Sequence, residues 1–62
     1  MLKLKAERQR RGWTQAKVAY HARLLPAELS RIETGRLRPY SRQATRIARV
    51  LGLKPSELLD EV

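Results

Sequence analysis

Residues 14–35, TQAKVAYHARLLPAELSRIETG, constrain the fold more than any other stretch of the chain. They read as two short helices, about residues 15–22 and 26–34, joined by the three-residue turn Arg23-Leu24-Leu25. Val18, Ala19 and Ala22 fall within one helical turn, and Leu29 and Ile32 are three residues apart, so each set lies on one helical face. Leu24 precedes the N-cap position of the second helix and Leu29 is its fourth residue, the spacing of a hydrophobic staple. Two apolar faces joined by so short a turn can pack only at a steep angle. Ala19 sits at the expected point of closest approach, where a larger side chain would force the helices apart.

Glycine and proline divide the rest of the chain. Gly12, Gly35 and Gly52 each follow a helical stretch, where a left-handed C-terminal cap is wanted. Pro26 and Pro55 each open one, where a missing N–H costs nothing, and Pro39 ends a linker. Helix 1 is expected from about Leu2 to Arg11, with Leu4 as its main core residue and Arg8 one turn later on the same side. Trp13 is large enough to plug the end of a small core. Thr14 is the N-cap of helix 2; Lys17, Tyr20 and His21 point outward. Helix 4 is expected over about 41–51, where Ala44, Ile47, Ala48 and Leu51 form an i, i+3, i+4, i+7 stripe and Arg42, Arg46 and Arg49 lie outside it. Helix 5 is expected over about 55–61, with Leu58 and Leu59 apolar and Glu57 able to reach back to the open N–H groups. The whole is an all-α, compact, five-helix single domain spanning residues 1–62.

A chain of 62 residues buries only about 60% of the surface its unfolded form exposes. With no cysteine, no disulfide or thiolate metal site supplements that core, and the single His21 cannot build a metal site unaided. No cofactor, metal or small-molecule ligand is expected. No apolar run approaches the roughly 18 to 20 residues that cross a membrane, and the expected location is cytoplasmic, on the nucleoid. The formal net charge is +8, and Glu57, Asp60 and Glu61 fall in the last six residues. Residues 1–55 thus hold all fourteen basic residues and only three acids, a formal +11. Self-repulsion of that size calls for a polyanionic partner. Two helices at a steep angle with such a charge are a helix-turn-helix, whose second helix commonly enters the DNA major groove. On the inner side of that helix, Glu33 lies at the edge of the buried face. An unpaired carboxylate there would be costly, and Arg8 is the expected cation.

The residues then resemble a known family. Arg8, Gly12, Thr14-Gln15, Ala19, the run Ser30-Arg31-Ile32-Glu33, Gly35, Pro39 and the helix 4 ending ARVLG are similar to the small DNA-binding domains of phage repressors and Cro, the XRE-like helix-turn-helix proteins. The resemblance covers nearly the whole chain. It implies a five-helix domain binding operator DNA, commonly as a dimer on two half-sites, a buried ion pair between Arg8 and Glu33, and regulation of transcription of the repressor type. It implies base reading from the first, second and sixth residues of the recognition helix: Pro26, Ala27 and Arg31, with Glu28 and Ser30 beside them. Gln15, Thr34, Arg36, Arg38 and Tyr40 are the implied phosphate contacts.

Three positions depart from the family pattern. Arg23 stands where glycine is usual; a left-handed conformation there costs roughly 1 to 2 kcal/mol. Leu25 stands at the N-cap of the recognition helix, where losing a side-chain cap costs about 1 kcal/mol. Pro26 offers no donor, and Ala27 can only touch a thymine methyl. Arg31 alone can make a bidentate contact with guanine, and Glu28 can accept from cytosine N4. Direct readout is thin beside a rich backbone footprint, so sequence-influenced binding of double-stranded DNA with strong salt sensitivity is expected.

The alternative is a protein-interaction module on the same fold, such as an antitoxin or adaptor, which exposed Leu25 and Leu37 favour and the basic body disfavours. An RNA binder is disfavoured by the lack of aromatic stacking platforms. No nucleophile with a base, paired acids or phosphate-binding glycine loop suggests an enzyme. The basic helix 4 lacks the spare apolar face that membrane association needs. If the chain forms a homodimer, helix 5 and Leu53 to Val62 are the expected surface, which predicts half-sites about one helical turn apart.

Overall fold

Local capping sets where most of the helices begin. In the computed structural model, which describes residues 1–62, the chain forms α1 (Lys3–Arg10), α2 (Gln15–Ala22), α3 (Pro26–Glu33) and α4 (Ser41–Leu51), followed by a 3-10 turn at Pro55–Glu57. The Thr14 hydroxyl accepts from the Lys17 N–H at 3.0 Å and starts α2. The other starts use a different device. Leu25, Tyr40 and Lys54 have no side chain capping the helix, yet each of their backbone N–H groups donates to the carboxylate or amide oxygen three residues on. The partners are Glu28 at 3.0 Å, Gln43 at 2.9 Å and Glu57 at 2.8 Å. This is the reciprocal half of a capping box, contributed by the third helical residue. The N-cap at Leu25 is therefore half satisfied.

The turn between α2 and α3 is closed by Arg23 in the left-handed region, at φ 60°, ψ 44°; it is the only residue other than glycine with positive φ. The Leu24 N–H then donates to the Ala19 carbonyl at 2.8 Å, which turns the chain sharply toward α3. Gly52, at φ 69°, ends α4. A Cβ there would lie 3.1 Å from Nη2 of Arg11, which itself donates to the Leu51 carbonyl at 2.8 Å. Glycine is needed at that position for both conformation and space.

All four helices contribute to one core of Leu4, Val18, Ala19, Ala22, Leu24, Leu29, Ile32, Ile47, Ala48, Leu51 and Leu58. Leu24 and Leu29, the expected staple, both belong to it. Trp13, Ala44, Val50 and Leu53 are partly buried against it. The indole of Trp13 has Arg11 and Lys17 against its ring, each 5.0 Å from the centroid. Gln43, on the edge of the α4 stripe, is buried as well.

The expected fifth helix does not form. Only the 3-10 turn Pro55–Glu57 is helical, and the residues after it turn toward α1. The Leu58 carbonyl accepts from the Leu4 N–H at 3.0 Å and the Asp60 carbonyl from the Lys3 N–H at 2.7 Å. Val62 N–H donates to the Met1 carbonyl at 2.9 Å, and Leu2 forms a bridge with Glu61. The first N–H groups of a helix have no partner within it. Here the C-terminal segment supplies partners to α1, and the carbonyls that would have extended a fifth helix are engaged sideways. No helix is long and apolar enough to cross a membrane.

Candidate nucleic-acid interface

The inner side of α3 is occupied by an ion pair. Glu33 receives Arg8 through two parallel hydrogen bonds, Nε to Oε2 at 2.7 Å and Nη2 to Oε1 at 3.0 Å. The Glu33 side chain is 1% exposed and that of Arg8 11%. Arg8 Nη1 also donates to the Trp13 carbonyl at 2.8 Å, and Gln15 Nε2 donates to Glu33 Oε1 at 2.9 Å. The cluster ties α1, the loop after it, the first residue of α2 and the last residue of α3 together. No buried side-chain nitrogen or oxygen in the molecule is left without a partner. That matters because a buried polar group without one costs about 1–3 kcal/mol.

The outer side of α3 is open. Ala27, Arg31 and Thr34 recur at i, i+4 and i+7 and are all exposed, as is Pro26. Ser30 is partly exposed beside them, and its hydroxyl makes no hydrogen bond within the chain. Glu28 is partly exposed, with Oε1 held by the Leu25 N–H. Leu25 is 66% exposed at the start of the helix, so an apolar surface runs from Leu25 to Ala27. Arg31 has no acidic partner. Its carbonyl accepts from the N–H groups of Arg36 at 2.8 Å and Leu37 at 3.2 Å, which curls the linker back onto the end of α3. Arg36, Arg38 and Tyr40 follow on that linker and are exposed, Tyr40 to 77%.

Two of the residues expected at phosphates are engaged internally. One amide hydrogen of Gln15 is used on Glu33, leaving the other for a partner. The Thr34 hydroxyl turns back onto its own helix, 3.1 Å from the carbonyls of both Ser30 and Arg31. Arg36, Arg38 and Tyr40 keep their side chains free of protein hydrogen bonds. No group of three metal-ligating side chains comes together anywhere in the chain.

Three of the remaining acids also form ion pairs. Glu7 binds Arg10 and, at 2.8 Å, Arg11, and these two guanidiniums pull its carboxyl down to about 2 from the usual 4.5. Glu57 receives Lys3 at 2.9 Å, which with the Lys54 N–H lowers its carboxyl below the usual range. Glu61 lies 3.6 Å from the N-terminal ammonium. The acids thus neutralise α1 and the C-terminal segment, and they leave the stretch from Arg31 onward through α4 basic. Gln43 is a structural residue not foreseen from the sequence, although its position three after Tyr40 matches that of Glu28 after Leu25.

A family model described as a helix-turn-helix domain matches residues 2–62. No curated protein matches the chain.

Proposed function

The chain belongs to the helix-turn-helix domain family, and on that premise we propose that it is a double-stranded DNA-binding regulator of transcription, of the repressor type, that docks α3 in the major groove. The observation that carries this is the run of exposed cations without acidic partners, Arg31, Arg36 and Arg38, on and just after the outer face of α3. Arg31 reads guanine through O6 and N7, and Pro26 and Ala27 make apolar contact with thymine methyls. Ser30 and Glu28 flank them. Arg36, Arg38, Tyr40 and the free amide hydrogen of Gln15 hold phosphates and set the register, and Thr34 joins them only if its hydroxyl rotates off the Ser30 and Arg31 carbonyls. Affinity comes chiefly from phosphates and specificity chiefly from Arg31. A homodimer contact is assigned to residues 53–62, where Leu59 and Val62 remain exposed together with Met1. The protein acts in the cytoplasm, on the nucleoid.

Selection of bound duplexes from a random pool tests this directly. A short motif containing guanine, recovered once or as two half-sites about one helical turn apart, is the expected result. Recovery of no duplex above background would overturn it. The exposure of Leu25 beside Pro26 favours a second reading, in which the same face seats a protein. A gel shift against mixed genomic fragments separates the two, because only the DNA-binding reading predicts retardation.

A further inference from the structure

The outer face of α4 carries a groove that the docking of α3 does not use. Ser41, Arg42, Thr45, Arg46 and Arg49 line an open trough of about 300 Å³, and none of them is acidic or apolar. Arg42 to Arg49 covers about 10 Å of helix axis at 1.5 Å per residue. Arg46 is held in place: its Nε donates at 2.8 Å to the Ala22 carbonyl, at the negative end of the α2 dipole. Its two Nη groups make no protein hydrogen bond, and neither do the guanidiniums of Arg42 and Arg49. Five of the six acids are engaged elsewhere by hydrogen bonds or ion pairs, and the sixth, Asp60, forms no salt bridge with any of these three cations. The groove starts at Ser41, the residue after Tyr40, and so continues the basic linker that leaves α3.

We propose that this groove is a second phosphate-binding track, which holds the backbone of the same duplex beyond the stretch covered by α3. The proposal rests on the DNA-binding reading above. Guanidinium groups match phosphate oxygens in bidentate geometry. No apolar residue lines the trough to seat the side chains of an acidic peptide, and its continuity in the chain with Arg36, Arg38 and Tyr40 favours the duplex already bound over a separate ligand. The consequence is a footprint longer than a recognition helix alone requires.

The double variant R42Q/R49Q tests it, because it leaves the contact between Arg46 and Ala22 intact. Its melting temperature should match that of the wild type. Bound to a labelled duplex across a range of salt concentrations, it should show a log–log slope shallower than the wild type by about 2, with the same fold-loss of affinity on every sequence. Ethylation interference should lose phosphates at one edge of the site while those beside α3 persist. If the wild type binds duplex and the variant keeps its slope and footprint, the track is refuted while the DNA-binding reading stands. If the variant loses only the capture of a second duplex on an immobilised first one, the assignment to the same duplex is refuted. If the wild type binds no duplex, the DNA-binding reading itself fails and the track with it.

Discussion

The two sides of α3 treat charge in opposite ways. On the inner side Glu33 is enclosed by Arg8 and Gln15, and each of its oxygens is used. On the outer side, two residues earlier in the chain, Arg31 is exposed and unanswered, and Arg36 and Arg38 continue the same condition. The inner charges hold the helices together. Removing one leaves the other buried and alone, which is far more costly than the pair is stabilising. The outer charges contribute nothing to the fold and raise its self-repulsion, so a bound polyanion is what makes sense of them. Charge in this small domain is structural where it is buried and paired, and the exposed, unpaired cations are the ones we propose to bind phosphate.

The sharpest way to break that contrast is Arg8→Met. It strands Glu33 in the core and should cost about 3–5 kcal/mol. A chain of this length has a total stability of roughly 3–9 kcal/mol, so the variant should be largely unfolded by circular dichroism or lose most of its urea midpoint. A loss under about 1 kcal/mol would show that the pair is not structural. On the other face, Arg31→Ala should leave the melting transition within about 0.5 kcal/mol of wild type. It should cost about 1–3 kcal/mol in discrimination at one guanine, read by competition between matched and mismatched duplexes. Arg36→Ala should instead weaken all sequences alike and lower the salt slope by about 1.

Smaller effects sharpen the same picture. Arg23 adopts the left-handed conformation that disfavours a side chain. Arg23→Gly removes that strain and loosens the unfolded chain, for a net gain between about 0 and 1 kcal/mol in thermal unfolding. A clear fall in melting temperature would mean that the Arg23 side chain is needed where it is. The smallest effect is that of acid on the surface pairs. Glu7 has its carboxyl lowered to about 2 from 4.5 by Arg10 and Arg11, so its contribution is complete above about pH 4.5 and is lost as pH falls toward 2. Melting temperatures of wild type and Glu7→Gln should differ slightly at neutral pH and converge at the acid end of that window. The difference should also shrink in high salt, because these groups face solvent.

Features set by neighbours in the chain were legible in the sequence. The bounds of α2 and α4 follow from Thr14, Pro39 and Gly52, whose effects act within a few residues. The left-handed turn at Arg23 was signalled by the family resemblance, in which glycine is usual at that position, and the structure places Arg23 at φ 60°. The expected fifth helix does not form because its fate depends on α1, more than fifty residues away in the chain. Nothing local to Pro55-Ser56-Glu57 signals that the Leu58 and Asp60 carbonyls will cap another helix. The internal engagement of Gln15 and the Thr34 hydroxyl was hidden for a related reason. A polar side chain at a helix end serves a neighbour or a partner equally well until the neighbour's position is known.

Cations that the fold leaves unpaired should be engaged by phosphate when the protein binds DNA. The most direct test is the salt dependence of binding to a duplex of random sequence. Four unpaired arginines, Arg36 and Arg38 on the linker and Arg42 and Arg49 on α4, imply a slope of log K against log salt of roughly −3 or steeper. A slope near zero would contradict the account.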